Sequence, residues 1–409
     1  MDKERRITTR ETLKIPVHPR YRRLHVVAMG GGTGLANLLK GLKKYVRNPN
    51  PGISALEPLI TELYAVVTVT DDGGSSGRLR GDFKVLPPGD IRNCIAALSE
   101  EEALLSRLFQ HRFQADSDLN GHSFGNLLLT ALTAITGDFA EAVKQSSKIL
   151  DTCGNIYPST LSDVQLEAVM TDGSRVLGET NITGHAGRIK ELHLVPRDAQ
   201  PLPPTLAAIS TADLITIGPG SLFTSLVPNL LVHGISEAIA SSPAVNVFVC
   251  NLTTEANESL GLTAADHIRA LNSHAGTCIF DYALVNGTDA SPKLRAKYAE
   301  ERASQIVADI DAIEQLGVKV ILGDYLEEVE GIARHAADRV AKDLLDLLRH
   351  TDETPFASTQ PRRASLLTAH STEAVYRVTP HVQSGVTTGI DSDNDPKGTK
   401  PCHMQSSPT

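Results

Sequence analysis

Two glycine-rich runs carry the most chemistry in this sequence. Gly30-Gly31-Gly32-Thr33-Gly34 closes a short apolar stretch, and a helical pattern begins at once. Glycine allows positive φ and a close approach of backbone to ligand. A helix that starts there offers unpaired N–H groups and the positive end of its dipole to an anion. The run is a phosphate cradle without being a full dinucleotide fingerprint, because Leu35 or Asn37 stands where the last glycine of GxGxxG belongs. No acidic residue follows at the ~20-residue spacing that would hold a ribose. A Walker loop is excluded too, since no Gly-Lys-Ser/Thr closes the run. Gly218-Pro219-Gly220-Ser221, with Thr224 and Ser225 beyond it, repeats the arrangement after another apolar stretch and reads as a second anion site.

Three further loops bring polar groups to the ends of apolar runs. Asp71-Asp72-Gly73-Gly74-Ser75-Ser76 is followed by Arg78 and Arg80. Adjacent carboxylates at a strand end can hold Mg²⁺ or a ligand hydroxyl, and the arginines can pair with phosphate. Asp90 is placed to cap a helix whose first turn holds Arg92 and Asn93. His122, Ser123 and Asn126 open another helix; without a GxSxG elbow the His-Ser pair is no hydrolase triad, and hydrogen bonding to a substrate is the better role. Asn251 ends a further strand in polar residues.

These loops need a scaffold that gathers them at one edge. Strands are expected at 24–29, 63–70, 213–217, 245–250 and 280–285, with helices at 34–45, 90–98, 104–113 and 124–135. Continuous apolar strands alternating with helices predict a doubly wound, mostly parallel, Rossmann-like α/β sheet, whose strand carboxyl ends bind ligand. The Asp172-Gly173 turn between 164–170 and 175–179, then a strand at 191–195, predicts a small antiparallel insertion at about 154–200, as a lid or an oligomer contact. Residues 1–23 read as a flexible lead-in, 24–349 as the nucleotide-binding body and 350–409 as a disordered Ser/Thr/Pro-rich tail. A helix over 336–348 closes the body.

The chain has 409 residues, 41% hydrophobic and 21% charged, which is a globular composition. A net charge of −9 and the absence of Trp argue against nucleic acid as a partner. No apolar run reaches the ~18 residues of a membrane span, and the N-terminus lacks a signal-peptide core. The five scattered cysteines form no CxxC pair, which fits a reducing, cytoplasmic location and no zinc site.

Taken together, GGGTGL (30–35), VTDDGGSSGRLR (69–80), PPGDIRN (87–93), LFQHRF (108–113), GHSFGNLLL (121–129), ITGDF (135–139), ADLITIGPGSLFTSLVPNLL (212–231) and VCNLTT (249–254) resemble the gluconeogenesis factor family, a branch of the CofD-like superfamily. The resemblance spans roughly residues 24–349. It implies a cytoplasmic bacterial protein needed for cell shape and envelope growth on gluconeogenic carbon sources. It further implies binding of UDP-N-acetylglucosamine and other UDP-sugars, and a protein partner in envelope synthesis. The superfamily's transferases join a phospholactate moiety to a deazaflavin with Mg²⁺, which here would fall to Asp71 and Asp72. One departure is Glu255-Ala256-Asn257-Glu258-Ser259, where a Pro-Gly-Glu-Thr pattern is usual. Two functions are open: a nucleotide-sugar sensor, expected as a homo-oligomer, and a transferase. With 4% aromatics, little in the sequence suggests a pocket for a flat acceptor, which favours the sensor.

Overall fold

The computed structural model describes residues 23–46, 59–99, 104–114 and 116–353. The expected lead-in over 1–23 lies outside the described residues except for Arg23, which begins the first strand. The expected tail over 350–409 lies outside them beyond Glu353, where the last helix, Ala337–Glu353, ends.

Twelve strands are present among the described residues. The main sheet holds β1 (Arg23–Gly30), β2 (Leu59–Val67) and β3 (Asn155–Pro158). A separate antiparallel sheet is made by β4 (Gln165–Met170), β5 (Arg175–Leu177) and β6 (Ile189–Val195). The chain then returns to the main sheet with β7 (Leu214–Ile217), β8 (Val245–Val249), β9 (Tyr282–Asn286) and β10 (Lys319–Gly323). A two-stranded ribbon, β11 (Leu326–Val329) and β12 (Ile332–His335), follows. The seven main strands run in the order β10-β9-β8-β7-β1-β2-β3, every pair parallel.

That order fixes where a ligand can bind. From β1 the chain moves outward through β2 and β3, then comes back beside β1 as β7 and moves outward the other way. The loops after β1 and β7 therefore diverge at the sheet's carboxyl edge and leave a crevice between them. The strands flanking it are deeply buried: all of β7 is buried, as are the last five residues of β1. Both faces are covered by helices, as parallel pairing requires.

The doubly wound α/β class and the small antiparallel sheet are as the sequence indicates. Two of the boundary differences bear on the site. The antiparallel sheet begins only at Gln165, because Asn155–Pro158 pairs parallel with β2, Tyr64 opposite Asn155, as the edge of the main sheet. Second, β2 starts at Leu59 and ends at Val67 rather than running to Thr70. After Val67 the chain turns out of the ladder, and Thr68 N–H donates to Gly30 carbonyl at 3.0 Å, leaving Thr70 to lead into the aspartate loop.

Helices α1 (Gly32–Leu42), α2 (Gly74–Phe83), α3 (Gly89–Leu98), α4 (Leu104–Gln110), α5 (Phe124–Thr136) and α6 (Phe139–Ile149) fill the first half. A short helix α7 (Glu179–Gly184) sits inside the antiparallel insertion. Among the described residues no single helix is long and apolar enough to cross a membrane.

Candidate functional site: a cleft at the switch point of the sheet

The two glycine loops pack backbone to backbone. A Cβ on Gly34 would stand 2.5 Å from the Pro219 carbonyl oxygen, so only glycine lets α1 approach the β7 loop this closely. Gly32 has φ +62, the left-handed region that glycine occupies without strain. Its N–H is drawn to the Asp90 carboxylate. Thr33 and Gly34 follow in the first turn of α1, where amides lack intrahelical acceptors. Across the crevice, Asn251 clamps Gly220 from both sides: Gly220 N–H donates to Oδ1 at 3.0 Å and Nδ2 donates to the Gly220 carbonyl at 2.7 Å. The resulting cleft encloses about 170 Å³. Gly31 to Gly34, Pro219 to Ser221, Ser225 and Asn251 line it, all of them residues the sequence singled out.

Gly30 and Gly218 support the cleft from beneath. Gly30 carbonyl accepts from Asn229 Nδ2 at 3.1 Å, and Gly218 N–H donates to Met29 carbonyl at 3.0 Å. Thr224 is buried, and its carbonyl accepts from Thr70 Oγ1 at 3.4 Å. Part of the expected second anion site, the turn Leu222–Leu226, is held by the protein's own acid side chain. Phe223 and Thr224 N–H donate to Glu258 Oε1 at 2.7 and 3.1 Å.

Asp90 stands beside Gly31, and the sequence-derived residues at 71–78, 92–93 and 122–126 lie outside the cleft lining. Asp90 is not the cap of α3, whose helix begins after Pro88 at Gly89. Its Oδ2 lies against Gly31, while Asp71 Oδ2 and Ser76 Oγ lie against Gly89. Ser75 Oγ joins His122 Nδ1 at 2.9 Å and accepts from Asn126 Nδ2 at 3.0 Å, a buried network in which Asn126 Oδ1 has no protein partner. Ser123 is spent on capping α5, accepting from Asn126 N–H. Arg78 donates to the carbonyls of Asp118 and Asn120, at 3.4 and 2.5 Å, and Arg112 to that of Gly121, so both guanidinium groups brace the 116–122 loop. Arg92 donates to Asn93 Oδ1 at 2.6 Å, while its Nε is buried without a partner.

Asp71 and Asp72 diverge instead of converging. Asp71 Oδ1 accepts from Gly73 N–H at 2.9 Å, closing the turn into Gly74 and α2. Asp72 Oδ1 accepts both Thr180 N–H, at 2.8 Å, and Thr180 Oγ1, at 2.6 Å. Asp72 is thereby committed to docking α7. The two side chains are thus hydrogen-bonded to different elements, and among the described residues no group of three or more His, Cys, Asp or Glu side chains is placed to hold a metal ion.

Acid groups from separate elements crowd this region. Burial pushes the Asp90 carboxyl up to about 6, and nearby Asp71 adds to the shift against the opposing Gly32 N–H. Glu179, at the start of α7, is raised to about 9 by burial and then by Asp71, Asp90, Asp72 and Glu258. Glu258 is raised to about 8 by burial and by Glu255, against the Phe223 N–H bond. Burial and the neighbouring acids thus favour the protonated form of both glutamates, which can donate a hydrogen bond.

Sequence reasoning missed Glu179, Glu255, Glu258 and His335. Glu255 and His335 line the cleft itself. His335 Nε2 lies 3.0 Å from the Cys250 carbonyl, so that nitrogen carries the proton. Burial lowers the ring to about 4, which leaves it neutral rather than a cation for phosphate. The departure at 255–259 keeps its turn because Asn257 adopts φ +62, a conformation asparagine tolerates better than other side chains. Asn257 Nδ2 also donates to Thr183 carbonyl in α7 at 3.2 Å.

The fold and this crevice define a doubly wound α/β protein with a glycine-lined binding cleft at its switch point. Residues 26–326 match the family described as 2-phospho-L-lactate transferase CofD. The gluconeogenesis factor of Bacillus subtilis (strain 168) is 46% identical over 324 residues, covering 79% of this chain and 98% of that protein. The gluconeogenesis factor of Halalkalibacterium halodurans is 45% identical over 322 residues, covering 79% and 96%. A crystal structure of a Bacillus halodurans protein superimposes with a TM-score of 0.74 at 45% identity, covering 79% of this chain and 100% of that one. The chain therefore belongs to the CofD family, in its gluconeogenesis factor branch.

Proposed function

We propose that this protein is a cytoplasmic, non-enzymatic binder of UDP-sugars of the UDP-N-acetylglucosamine type. In this reading it passes their level to a partner in envelope synthesis, and so serves cell shape on gluconeogenic carbon. The observation that carries the reading is the cleft: two glycine loops packed backbone to backbone, with the Thr33 and Gly34 amides at a helix start and the Ser225 hydroxyl across from them. A diphosphate sits there without a lysine or arginine, because helix-end amides supply the positive field.

The divergence of Asp71 and Asp72 supports binding without metal, since Asp72 is already occupied by Thr180. Isothermal calorimetry with UDP-N-acetylglucosamine, UDP, NAD and GTP, each with and without Mg²⁺, tests the reading. The expected result is selective, metal-independent binding of the UDP compounds. Selective binding of NAD or GTP would overturn it, and Mg²⁺-dependent turnover with a phospho-donor would make the protein a transferase.

A further inference from the structure

The cleft contains one carboxylate that neither loop sequence announces. Glu255 follows β8 and lines the same crevice as the glycine loop. Both of its oxygens face Ser221 Oγ, at 2.9 and 2.8 Å, and its backbone N–H is fixed by Ser259 Oγ at 3.0 Å. Beneath it Glu258 is anchored on the Phe223 and Thr224 amides, so Glu255 stands on a rigid base. An ionised carboxylate accepts about four hydrogen bonds and donates none. The Ser221 hydroxyl and the neighbouring Glu258 carboxyl use only part of that capacity.

A carboxylate in a phosphate-binding crevice has to meet a part of the ligand other than phosphate, because like charges repel. What suits it is a pair of neighbouring hydroxyl groups, which donate to both oxygens. In dinucleotide folds an acid at the end of the second strand does this for ribose, and the glycine loop here has no acid at the usual spacing. We infer that Glu255, reaching the cleft from the far side of the switch point, is the acceptor that reads adjacent hydroxyls of the bound nucleotide sugar. The inference rests on the proposed UDP-sugar reading and adds a specificity residue to it. Ribose and hexose both carry such hydroxyls, and the test separates them.

The experiment is calorimetric titration of the full chain and of Glu255→Gln with UDP, 2′-deoxy-UDP and UDP-N-acetylglucosamine. If Glu255 reads ribose, the wild type binds UDP about tenfold or more tighter than 2′-deoxy-UDP, as expected for losing a hydrogen bond to a charged group. Glu255→Gln then binds the two alike. If Glu255 reads the hexose, the wild type gains about tenfold from UDP to UDP-N-acetylglucosamine and the variant loses that gain. Equal wild-type affinities for all three ligands overturn the inference without needing the variant, as does a preference that survives in Glu255→Gln. Failure of the wild type to bind any UDP compound instead refutes the proposed function. A thermal melt of Glu255→Gln confirms that the variant is folded.

Discussion

Glu258→Gln separates the proton held at the base of the cleft from the hydrogen bonds made there. The Glu258 side chain is 7% exposed and accepts from Phe223 and Thr224 amides. Glutamine keeps an acceptor oxygen for those amides and cannot ionise. In the folded wild type this carboxyl titrates at about 8, against roughly 4.3 in an unfolded chain. Between those values the unfolded chain has released a proton that the folded chain retains. Stability from this group is thus complete below the unfolded value and lost as pH rises toward the folded one. The slope is at most about 1.4 kcal/mol per pH unit, or about 2.7 kcal/mol between about pH 5.5 and about pH 7.5. Asp90 adds a slope of the same sign that is shared by both proteins and cancels in the difference. Urea denaturation of wild type and variant at the two pH values gives the answer. The variant should gain on the wild type by about 2–3 kcal/mol across that interval. Parallel stability curves would refute the claim that the buried carboxyl holds its proton.

Three further outcomes follow from single contacts. Gly34→Ala places a Cβ 2.5 Å from the Pro219 carbonyl oxygen; urea melts should show a loss of about 1–3 kcal/mol, as for other overpacked sites, and an unchanged midpoint would mean the loops do not touch. Asp72→Asn weakens the grip on the Thr180 N–H and hydroxyl. Hydrogen exchange should then rise about tenfold in the α7 amides and stay unchanged in β1 and β7, as losing ~1.4 kcal/mol of local stability predicts. Ser75→Ala strands His122 Nδ1 and Asn126 Nδ2 in the interior, a cost of about 1–3 kcal/mol by denaturation; no measurable cost would show that water replaces the hydroxyl.

Much of the fold and part of the cleft can be read from local sequence. Gly30 to Gly34 and Gly218 to Ser221 are legible because a strand, a glycine run and a helix start are contiguous. The acids are not legible, because topology gathers them from distant parts of the chain. Glu179 arrives on an insertion latched by Asp72 and Asn257, and Glu255 on the loop after β8. Asp90 has the look of a helix cap in sequence, yet its carboxyl is buried and accepts from Gly32 N–H, nearly sixty residues earlier. Asp71 and Asp72 are neighbours in sequence, and adjacency hides that one side chain turns to Gly73 and the other to Thr180. Strand β3 is four residues long, and only its parallel pairing with β2 assigns it to the main sheet.

The central claim is that a nucleotide diphosphate rests on the start of α1 in the switch-point cleft. A crystal structure of this chain soaked with UDP-N-acetylglucosamine tests it most directly. The account predicts phosphate oxygens within hydrogen-bond distance of the Thr33 and Gly34 amides and of the Ser225 hydroxyl. Phosphates seated on Arg78 and Arg92, with the glycine loops untouched, would contradict it.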